Sequence, residues 1–460
     1  MQQTQWNMSH IKQCETLAEQ AVLSDEPSLV SFSTDFGHLL TAKPEAVFLP
    51  TDKAALQKII QYAAANALPL TIRGNGLSQS GQSLPVSGGI TVCTQMLNQV
   101  LEDHGDSIWV EANCSWSDLI DATLKKQRIP YVIPYNCNLS VAGVISAGGV
   151  GASSFKAGAV VAHVDALEVI LADGSIEEVR TYSPLFHACL GGQGRFGVIT
   201  KARMQLRPCG KRVKTFFLLY DDCAQWQQEM DLLKETAHYI EALCTPAVQG
   251  SKINTEGMRL PFAQWFYALQ VSWEYDEIEP VLPKTIKPWK TVLTQSETIR
   301  DFLHRHDGRF EAMKSSGQWS MQHPWYECFV GSRQLFAELE QLLPTLPLHY
   351  ATVVQVVPVK PMQQQGFFML PDEKECCAIM ILNAGLPELF IPSCLKTIQA
   401  LDDRFLPKGG KRYLSGYLGD NITEDYWRRH FGSNYKQWIN QKKHSDAKGL
   451  FCSLLHPTVE

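Results

Sequence analysis

Along residues 46–124 the apolar positions follow two alternating patterns, short continuous runs and longer runs with helical spacing. The continuous runs predict buried strands at residues 46–49, 67–72, 89–92 and 108–111. The helical spacing predicts two amphipathic helices, which begin near Thr51 and Ser115 behind residue types that cap helices. This region therefore has the pattern of an α+β domain with short strands.

The pattern changes near residue 208, beyond which the apolar residues are larger, more aromatic and more widely spaced. Six tryptophans lie in this middle region, at Trp226, Trp265, Trp273, Trp289, Trp319 and Trp325. Such aromatic richness suits either a large core or an apolar substrate pocket. Helical spacing returns at residues 427–455, in a segment that is able to pack back on the first domain. We predict a first domain at residues 1–208, a second at residues 209–418 and a returning C-terminal segment at residues 419–460.

Length and charge agree with this division and exclude several partners. A chain of 460 residues with 45% hydrophobic and 19% charged residues has ample material for two cores. The net charge of −6, without a long basic run, argues against nucleic acid and against anionic membrane surfaces as partners. The N-terminus shows no secretory signal, and no apolar stretch reaches the roughly 20 residues that span a bilayer. We expect a cytoplasmic protein.

The thirteen cysteines are scattered without paired spacing, which predicts reduced structural thiols. The adjacent pair Cys376 and Cys377 lies in a strand-like run, so the two side chains are expected to point to opposite faces.

The first chemical signal is residues 73–82, RGNGLSQSGQ, which directly follow a predicted strand. Three glycines in this loop allow positive φ angles and a close approach of the backbone to a ligand. Successive backbone N–H groups in such a loop converge on anions. The loop predicts a phosphate cradle and hence a nucleotide cofactor.

Two further glycine-rich stretches follow, at residues 141–151 and 191–200. The first is nearly devoid of large side chains, so either a flat cofactor fills the space beside it or a helix or turn of small residues packs closely there. A Rossmann fingerprint is absent, because no strand is followed by Gly-x-Gly-x-x-Gly at the start of a helix.

Taken together, these motifs resemble a known cofactor fold, the vanillyl-alcohol-oxidase-type (PCMH-type) FAD-binding domain. The residues that carry the resemblance are Asp35 to Gly37, Pro50, residues 73–78, Gly81, Gln82, Gly143, Ser146, Gly149 and residues 190–200. Within this superfamily the chain is most similar to the cytokinin dehydrogenases. Matches in the remainder of the chain are His323-Pro324-Trp325, Phe329-Val330, Pro358 and the tail around His430-Phe431-Gly432 and Trp438.

The resemblance implies an α+β fold, with a two-subdomain FAD domain and a substrate domain built on a large antiparallel sheet flanked by helices. FAD would lie extended between the two. The residues that the resemblance assigns to FAD are Ile72, Arg73, Gly74, Asn75, Gly76, Leu77, Ser78, Gln82, Ser140, Ser146, Val150, Ile199 and Tyr417.

The sequence departs from the family pattern at two positions. Leu77 stands where the family has a histidine bonded covalently to the flavin, so we expect non-covalent FAD, with the nearby thiol of Cys137 as an alternative tether. Tyr135 stands where the family has its catalytic aspartate. A phenol is a poor proton acceptor at neutral pH, so Tyr135 is expected to orient a substrate hydroxyl or to stack on a ring. Its neighbours Asn136 and Asn138 are alternative hydrogen-bond acceptors.

Two other polar clusters invite a chemical interpretation. His304 and His306 suggest a metal pair, but no completing cluster of cysteines or carboxylates is visible in the sequence, and we predict no metal site. Residues 372–375, DEKE, either supply an acid to the pocket or form an exposed charged turn.

The predicted function is that of an FAD-dependent oxidoreductase. It would transfer a hydride from a C–H bond next to nitrogen or oxygen of a small, largely apolar substrate to flavin N5. The electron acceptor stays open between oxygen, a quinone and another acceptor. Two alternatives stay open: a flavin-linked reductase of the same fold that uses a reduced nicotinamide, and a catalytically retired homologue that only binds its ligand.

Overall fold

The computed structural model describes residues 5–20, 22–419 and 422–457. The predicted outer ends of the domains, residues 1 and 460, lie outside the described residues, as do residues 420 and 421 near the start of the predicted C-terminal segment.

The described strands form three separate sheets. In chain order the described strands are β1 (Val22–Leu23), β2 (Val47–Phe48), β3 (Leu70–Arg73), β4 (Ile90–Cys93), β5 (Val100–Asp103), β6 (Ser107–Glu111), β7 (Arg128–Pro130), β8 (Val164–Ile170), β9 (Ile176–Arg180), β10 (Val198–Pro208), β11 (Arg212–Tyr220), β12 (Tyr239–Ile253), β13 (Arg259–Tyr275), β14 (Lys290–Thr298), β15 (Tyr326–Gly331), β16 (Val354–Val359), β17 (Cys376–Ile381) and β18 (Lys411–Arg412).

Helices connect and cover these sheets. The described α-helices are α1 (Met8–Ala18), α2 (Glu26–Ser31), α3 (Lys53–Asn66), α4 (Trp116–Leu124), α5 (Val141–Ala147), α6 (Ser154–Ala157), α7 (Pro184–Cys189), α8 (Cys223–Lys234), α9 (Ile299–Leu303), α10 (Asp307–Ser315), α11 (Ser332–Leu342), α12 (Ile391–Phe405), α13 (Glu424–Phe431) and α14 (Tyr435–Ser445).

The first sheet is small and partly parallel, with strand order β1-β2-β4-β3. Helix α3 supplies the connection between β2 and β3. It begins at Lys53, which agrees with the start predicted near residues 51–53, and the Asp52 carboxylate caps it by accepting the Ala55 N–H at 2.8 Å. Its apolar stripe is buried, and the helix ends at Ala67 in the left-handed conformation. The four strands predicted between residues 46 and 111 are all present, within one residue of their predicted ends except that β3 starts three residues after its predicted start at residue 67.

A second sheet, in the order β5-β6-β10-β8-β9, completes the first half, with β7 paired to the end of β10. The C-terminal segment packs on the first sheet. The Leu70 N–H donates to the carbonyl of Leu450 at 2.9 Å, and the Cys452 N–H donates to the carbonyl of Leu70 at 3.0 Å. In the core beside it, the buried ammonium of Lys442 pairs with Asp446 at 2.6 Å and donates to the Arg195 carbonyl at 2.9 Å. The boundaries at residues 208 and 418 stay predictions.

The third sheet has eight strands in the order β14-β11-β13-β12-β16-β17-β15-β18, and every neighbouring pair is antiparallel. This arrangement, together with the helices that flank it, confirms the predicted α+β class with a large antiparallel sheet.

Side chains of the large sheet alternate between two faces, as the period of a strand requires. One face packs against the buried sides of α8, α11 and α12, through residues such as Trp226, Leu339 and Ile398. Strand β17 shows the alternation directly: Cys377 belongs to that core, whereas Cys376 belongs to the core on the opposite side. The prediction that these two cysteines face opposite ways is confirmed.

All thirteen cysteines are free. Among the described residues, no helix combines the length and the apolar character that a bilayer crossing needs.

Candidate active site

A cavity of about 440 Å³ runs between the glycine-rich segments of the first half and the inner face of the eight-stranded sheet. Its first wall is formed by the glycine loop after β3, by α5 and by residues 193–199. Its second wall is formed by the middle strands of the sheet and by residues 306–325. Both halves of the chain are therefore needed to complete this cavity.

The glycine loop is held in place from behind by a buried carboxylate. Asp35 accepts the N–H of Gly37 at 3.1 Å and the N–H of Gly81 at 2.9 Å. Burial raises the pKa of Asp35 to about 6, against the opposing effect of these hydrogen bonds and of the Arg73 charge. In contrast, the backbone N–H groups of residues 74–79 donate no hydrogen bond to any described residue. The loop thus presents a row of free donors on the side of the cavity.

Two glycines of this loop are required by close approach. A Cβ atom on Gly74 would lie 2.9 Å from the Ser140 Oγ atom. At Gly76, φ is +67° and a Cβ atom would lie 2.3 Å from a guanidinium nitrogen of Arg73. That guanidinium is buried beneath the loop, where Nη2 donates to the carbonyl of Thr34 at 3.0 Å. Arg73 therefore supports the loop from below and does not line the cavity, which differs from its predicted contact with FAD.

Most of the other residues predicted to contact the cofactor line the cavity. They are Ile72, Gly74, Asn75, Gly76, Leu77, Ser78, Gln82, Ser140, Ser146, Val150 and Ile199. Tyr417 does not: its side chain belongs to the core on the far face of the large sheet. Tyr413 occupies the cavity instead, and its hydroxyl accepts the N–H of Gly149 at 3.1 Å. Sequence reasoning missed Tyr413 because β18 and the turn after it carry no local motif.

The run of small residues forms a helix, one of the two alternatives that the sequence left open, and part of it lines the cavity. Residues 141–147 form the short helix α5, and the face of α5 that carries Gly143, Ser146 and Ala147 lines the cavity. A flat group is able to lie against this face because no large side chain projects from it.

These features fit the FAD that the resemblance implies. Free backbone donors in a glycine loop suit a diphosphate, and a wall of small side chains suits a flat ring system. The features that fit FAD are the free backbone N–H groups of residues 74–79 and the absence of a side chain at Gly74 and Gly76, where a Cβ atom would clash.

Tyr135 and Asn136, the predicted catalytic residues, both line the cavity. The Tyr135 hydroxyl is buried and has no hydrogen-bond partner among the described residues. Burial, together with the nearby charge of Glu241, raises the pKa of Tyr135 far above its ordinary value, so the phenol keeps its proton. Asn138, by contrast, is exposed and outside the cavity, and its carbonyl accepts from Asn75 at 2.9 Å.

Glu241 on β12 is a cavity residue that sequence reasoning missed. Its carboxylate is bound by the guanidinium of Arg305, with Nε donating at 2.6 Å, and lies 3.1 Å from His306 Nε2. Burial acts to raise its pKa, but the charges of Arg305 and His306 outweigh that effect and hold the pKa at about 2. Glu241 is therefore an ionised carboxylate in the cavity at neutral pH. His306 also meets the ring of Tyr135 edge to face, with the ring centroids 5.4 Å apart.

Glu327 on β15 is a second carboxyl group on the same face of the sheet. The strand register places it in one row with Met380, Gln355 and Leu243, across β17, β16 and β12. Glu327 on β15 is three strand spacings from β12, and this corresponds to a distance of about 14 Å across the sheet. Burial raises the pKa of Glu327 to about 7, against the Arg412 charge and a hydrogen bond from Ser415. The cavity thus holds two carboxyl groups whose environments shift their pKa values in opposite directions.

Glu327 leads to a prediction for the pH dependence of stability. Because its pKa is raised from 4.5 to about 7 on folding, its stabilising contribution is complete below pH 4.5 and is lost as the pH rises through 7. The loss amounts to about 3 kcal/mol, at roughly 1.4 kcal/mol per pKa unit. Denaturant unfolding between pH 4.5 and pH 8 should show wild type losing stability relative to Glu327→Gln. Glu102→Gln, at an exposed carboxyl, serves as the control. Parallel curves for wild type and Glu327→Gln would contradict the prediction.

An aromatic cluster closes one end of the cavity around Leu77. The rings of Phe36 and Trp319 are 4.8 Å apart, and those of Phe36 and Trp325 are 5.0 Å apart. The indole N–H of Trp325 donates to the Asn383 carbonyl at 2.7 Å, which fixes the ring plane. Of the six tryptophans in the middle region, Trp319 and Trp325 line the cavity, whereas Trp226, Trp265 and Trp273 are core residues.

These positions bear on three hypotheses from the sequence, of which the one on residues 372–375 is decided in favour of the exposed turn. Cys137 is 1% exposed, its thiol faces the Leu303 carbonyl at 3.6 Å and it does not line the cavity, so it is wrongly placed for a flavin tether. Residues 372–375 form an exposed turn outside the cavity. His304 and His306 diverge: His306 faces the cavity, whereas the His304 donor atoms lie near Cys137 and Asp307. The statement that no cysteine or carboxylate completes a cluster there is therefore wrong.

Comparison with known proteins agrees with this geometry. Residues 44–180 match the sequence model of an FAD binding domain, and residues 267–453 match that of the FAD- and cytokinin-binding domain of cytokinin dehydrogenase 1. Cytokinin dehydrogenase 2 of Arabidopsis thaliana is 27% identical over 93% of this chain and 92% of its own length. Cytokinin dehydrogenase 10 of Oryza sativa subsp. japonica is 26% identical over 93% of this chain and 86% of its own length. An uncharacterized oxidoreductase of the fasciation locus of Rhodococcoides fascians is 26% identical over 92% of this chain and 95% of its own length.

Proposed function

We propose that this FAD-dependent oxidoreductase, which is of the cytokinin dehydrogenase-like family, oxidises a C–H bond next to the nitrogen of a planar, largely apolar amine. The observation that carries the proposal is the ionised carboxylate of Glu241 in the same cavity as the glycine loop and the aromatic cluster. FAD, when bound, supplies the acceptor for the hydride. The chain itself binds, orients and stabilises the substrate.

Glu241 takes the role that an aspartate has in the family. As a hydride leaves the carbon next to nitrogen, positive charge develops on the substrate, and a fixed negative charge beside it stabilises that change. A carboxylate has several acceptor positions, so Glu241 is able to bind Arg305 and still accept the N–H of an amine. His306, which lies 3.1 Å from it, helps to fix its orientation.

Tyr135 acts as a hydrogen-bond donor in this proposal. Its hydroxyl keeps its proton and has no partner among the described residues, so it is available to a ring nitrogen or an oxygen of the substrate. Asn136 lies beside it with its amide oxygen engaged by the Asn138 N–H at 3.0 Å, which orients its amide nitrogen as a further donor. Donors on this side and an acceptor at Glu241 favour a planar heterocycle with an exocyclic secondary amine.

The remaining site assignments belong to the same proposal. The free N–H groups of residues 74–79 bind the diphosphate, Ser140 and Ser146 contact the extended part of FAD, and Val150 and Ile199 cover its rings. The domain division at residues 208 and 418, with the C-terminal segment attached to the first domain, is proposed on the packing of that segment against β3.

The first test is anaerobic mixing of the FAD-loaded protein with N6-substituted adenines, the chemistry suggested by the names of the relatives. Bleaching of the flavin absorbance, faster than with reduced nicotinamides, is the expected result. Prompt bleaching by a reduced nicotinamide alone would favour the reductase instead. The absence of bleaching with every amine, together with tight binding of the same compounds, would favour the ligand-binding homologue that the replacements at Leu77 and Tyr135 suggest.

Leu77 leads to a separate prediction on the attachment of the cofactor. Leucine has no nucleophile, and this side chain packs against the buried cluster of Phe36, Phe310 and Met313 at the edge of the cavity. Acid precipitation of the purified yellow protein should therefore release the flavin to the supernatant. The variant Leu77→His should retain part of the flavin in the pellet, because it restores a nucleophile to the loop. Flavin that remains in the wild-type pellet would disprove non-covalent binding.

A further inference from the structure

A second cluster of reactive side chains lies behind the cavity wall, where two distant segments meet. Cys137 comes from the connection between β7 and α5, whereas His304 and Asp307 flank the turn between α9 and α10. Donor atoms of the three residues all lie within 4.8 Å of one another. Neither the glycine loop nor the proposed chemistry of Glu241 uses any of them.

The cluster contains buried polar atoms without partners. His304 Nε2 and Asp307 Oδ1 are buried and form no hydrogen bond with any described residue. His304 Nδ1 forms a hydrogen bond with Asp307 Oδ2 at 2.7 Å, which a bound ion would replace, and Cys137 is 1% exposed. Leaving polar atoms buried and unsatisfied costs free energy. An ion bound by the Cys137 thiolate, by His304 Nδ1 and by the Asp307 carboxylate would give Asp307 Oδ1 a partner, while His304 Nε2 stays on the side of Asp121.

We propose that Cys137, His304 and Asp307 bind one Zn²⁺ ion. A thiolate, an imidazole and a carboxylate form a mixed sulfur, nitrogen and oxygen set, which suits zinc and does not suit Mg²⁺ or Ca²⁺, since these ions prefer oxygen alone. Zinc bonds of about 2.0–2.3 Å bring bound donor atoms to roughly 3–4 Å from one another, so the cluster needs only small side-chain movements. On binding, the thiol of Cys137 releases its proton to solvent, and a water completes the coordination.

A second carboxylate lies where an outer-shell partner is expected. Asp121 Oδ1 is 3.9 Å from His304 Nε2. Arg300 holds that carboxylate with two hydrogen bonds, at 2.8 and 2.9 Å. Ligating histidines commonly turn their second ring nitrogen to a carboxylate, which fixes the ring for the metal. Asp121 is therefore a positioning residue for His304.

The ion would join the two walls of the candidate active site. Tyr135 and Asn136 directly precede Cys137, and Arg305 and His306 lie between the other two ligands. These four residues contact the cavity or Glu241. A bound ion would therefore set the position of Tyr135 relative to Glu241, without itself entering the cavity.

The test uses the full-length protein with FAD bound. The protein is stripped with a chelator, dialysed against zinc chloride and then against metal-free buffer, and its zinc content is measured by mass spectrometry. Wild type should retain one zinc per chain, and Cys137→Ser and His304→Ala should retain none. Cys189→Ser, at a buried thiol outside the cluster, is the matched control and should retain one. Asp121→Asn should bind zinc about 10-fold more weakly.

X-ray absorption at the zinc edge of the wild type gives a readout that does not depend on any variant. One sulfur neighbour at about 2.3 Å is expected. The flavin spectrum and the melting temperature show whether each variant is folded. Failure of wild type to retain stoichiometric zinc, an absorption spectrum without sulfur, or full zinc retention by folded Cys137→Ser would each overturn the proposal.

Discussion

Replacing Glu241 with glutamine is expected to lower kcat/KM for the amine substrate by about 100- to 1,000-fold, the effect of removing one well-placed electrostatic group from a reacting centre. The glutamine side chain keeps the size and one acceptor atom, but it removes the negative charge that faces the developing positive charge. It also leaves the guanidinium of Arg305 without its counter-ion in a part-buried position. We therefore expect a loss of stability as well, toward the lower end of the 3–5 kcal/mol typical of broken buried pairs.

A matched control separates these two effects. Glu274 on β13 is also nearly buried and is bound by an arginine, with Arg207 Nη2 at 2.7 Å, but it lies outside the cavity. Glu274→Gln should lose similar stability while the rate of flavin bleaching stays near that of wild type. Ligand binding in both variants is measured by the change in total tryptophan fluorescence, since Trp319 and Trp325 line the cavity. Equal rates in the two variants would remove Glu241 from the reaction.

The second large effect is expected at the glycine loop, where Gly76→Ala should weaken FAD binding by at least about 100-fold, or some 2.7 kcal/mol. The added Cβ atom would meet the buried Arg73 guanidinium at 2.3 Å, in a residue whose φ of +67° already disfavours a side chain. Either the loop or the guanidinium must move. Movement of the loop turns the free N–H groups of residues 74–79 away from a diphosphate.

Gly409→Ala is the control for this variant. Gly409 also has a positive φ, of +91°, but a Cβ atom there would meet no atom within 4 Å. The two variants share the backbone strain, so only the clash at Arg73 distinguishes them. Titration of flavin-free protein with FAD, followed by flavin fluorescence, measures the difference. Similar affinities for Gly76→Ala and Gly409→Ala would show that the loop does not hold the cofactor as proposed.

The half of the site made of continuous sequence was predictable. Residues 72–78 combine a buried strand, positive-φ glycines and small polar side chains, and each of these features is a local property of the chain. Local spacing also identified α3, and the resemblance assigned Tyr135 and Asn136, which both line the cavity. Each of these signals lies within about ten residues, so it can be recognised from the sequence without knowledge of the tertiary structure.

The half of the site that comes from the large sheet was not predictable. Glu241, Glu327 and Gln355 lie in strands whose sequences read as ordinary alternation with a polar residue in it. Whether these three side chains line the same cavity depends on strand order and register, in which β12 pairs with β16 and β16 pairs with β17. A shift of one residue in any strand would turn its side chain to the opposite face. Arg73 and Tyr417, assigned by motif position, do not line the cavity because each packs with a distant segment, Arg73 with Thr34 and Tyr417 with the core on the far face of the sheet.

The sequence by itself determined the glycine loop, the non-polar character of Leu77, the α+β class and the resemblance that implies FAD, because these follow from residue type and local spacing. Only the tertiary structure decided which carboxyl groups enter the cavity and which protonation state burial and neighbours favour in each. It also decided that Cys137 turns away from the cavity toward His304 and Asp307. Electrostatic environment and convergence of distant side chains depend on three-dimensional distance, which the order of residues along the chain does not contain.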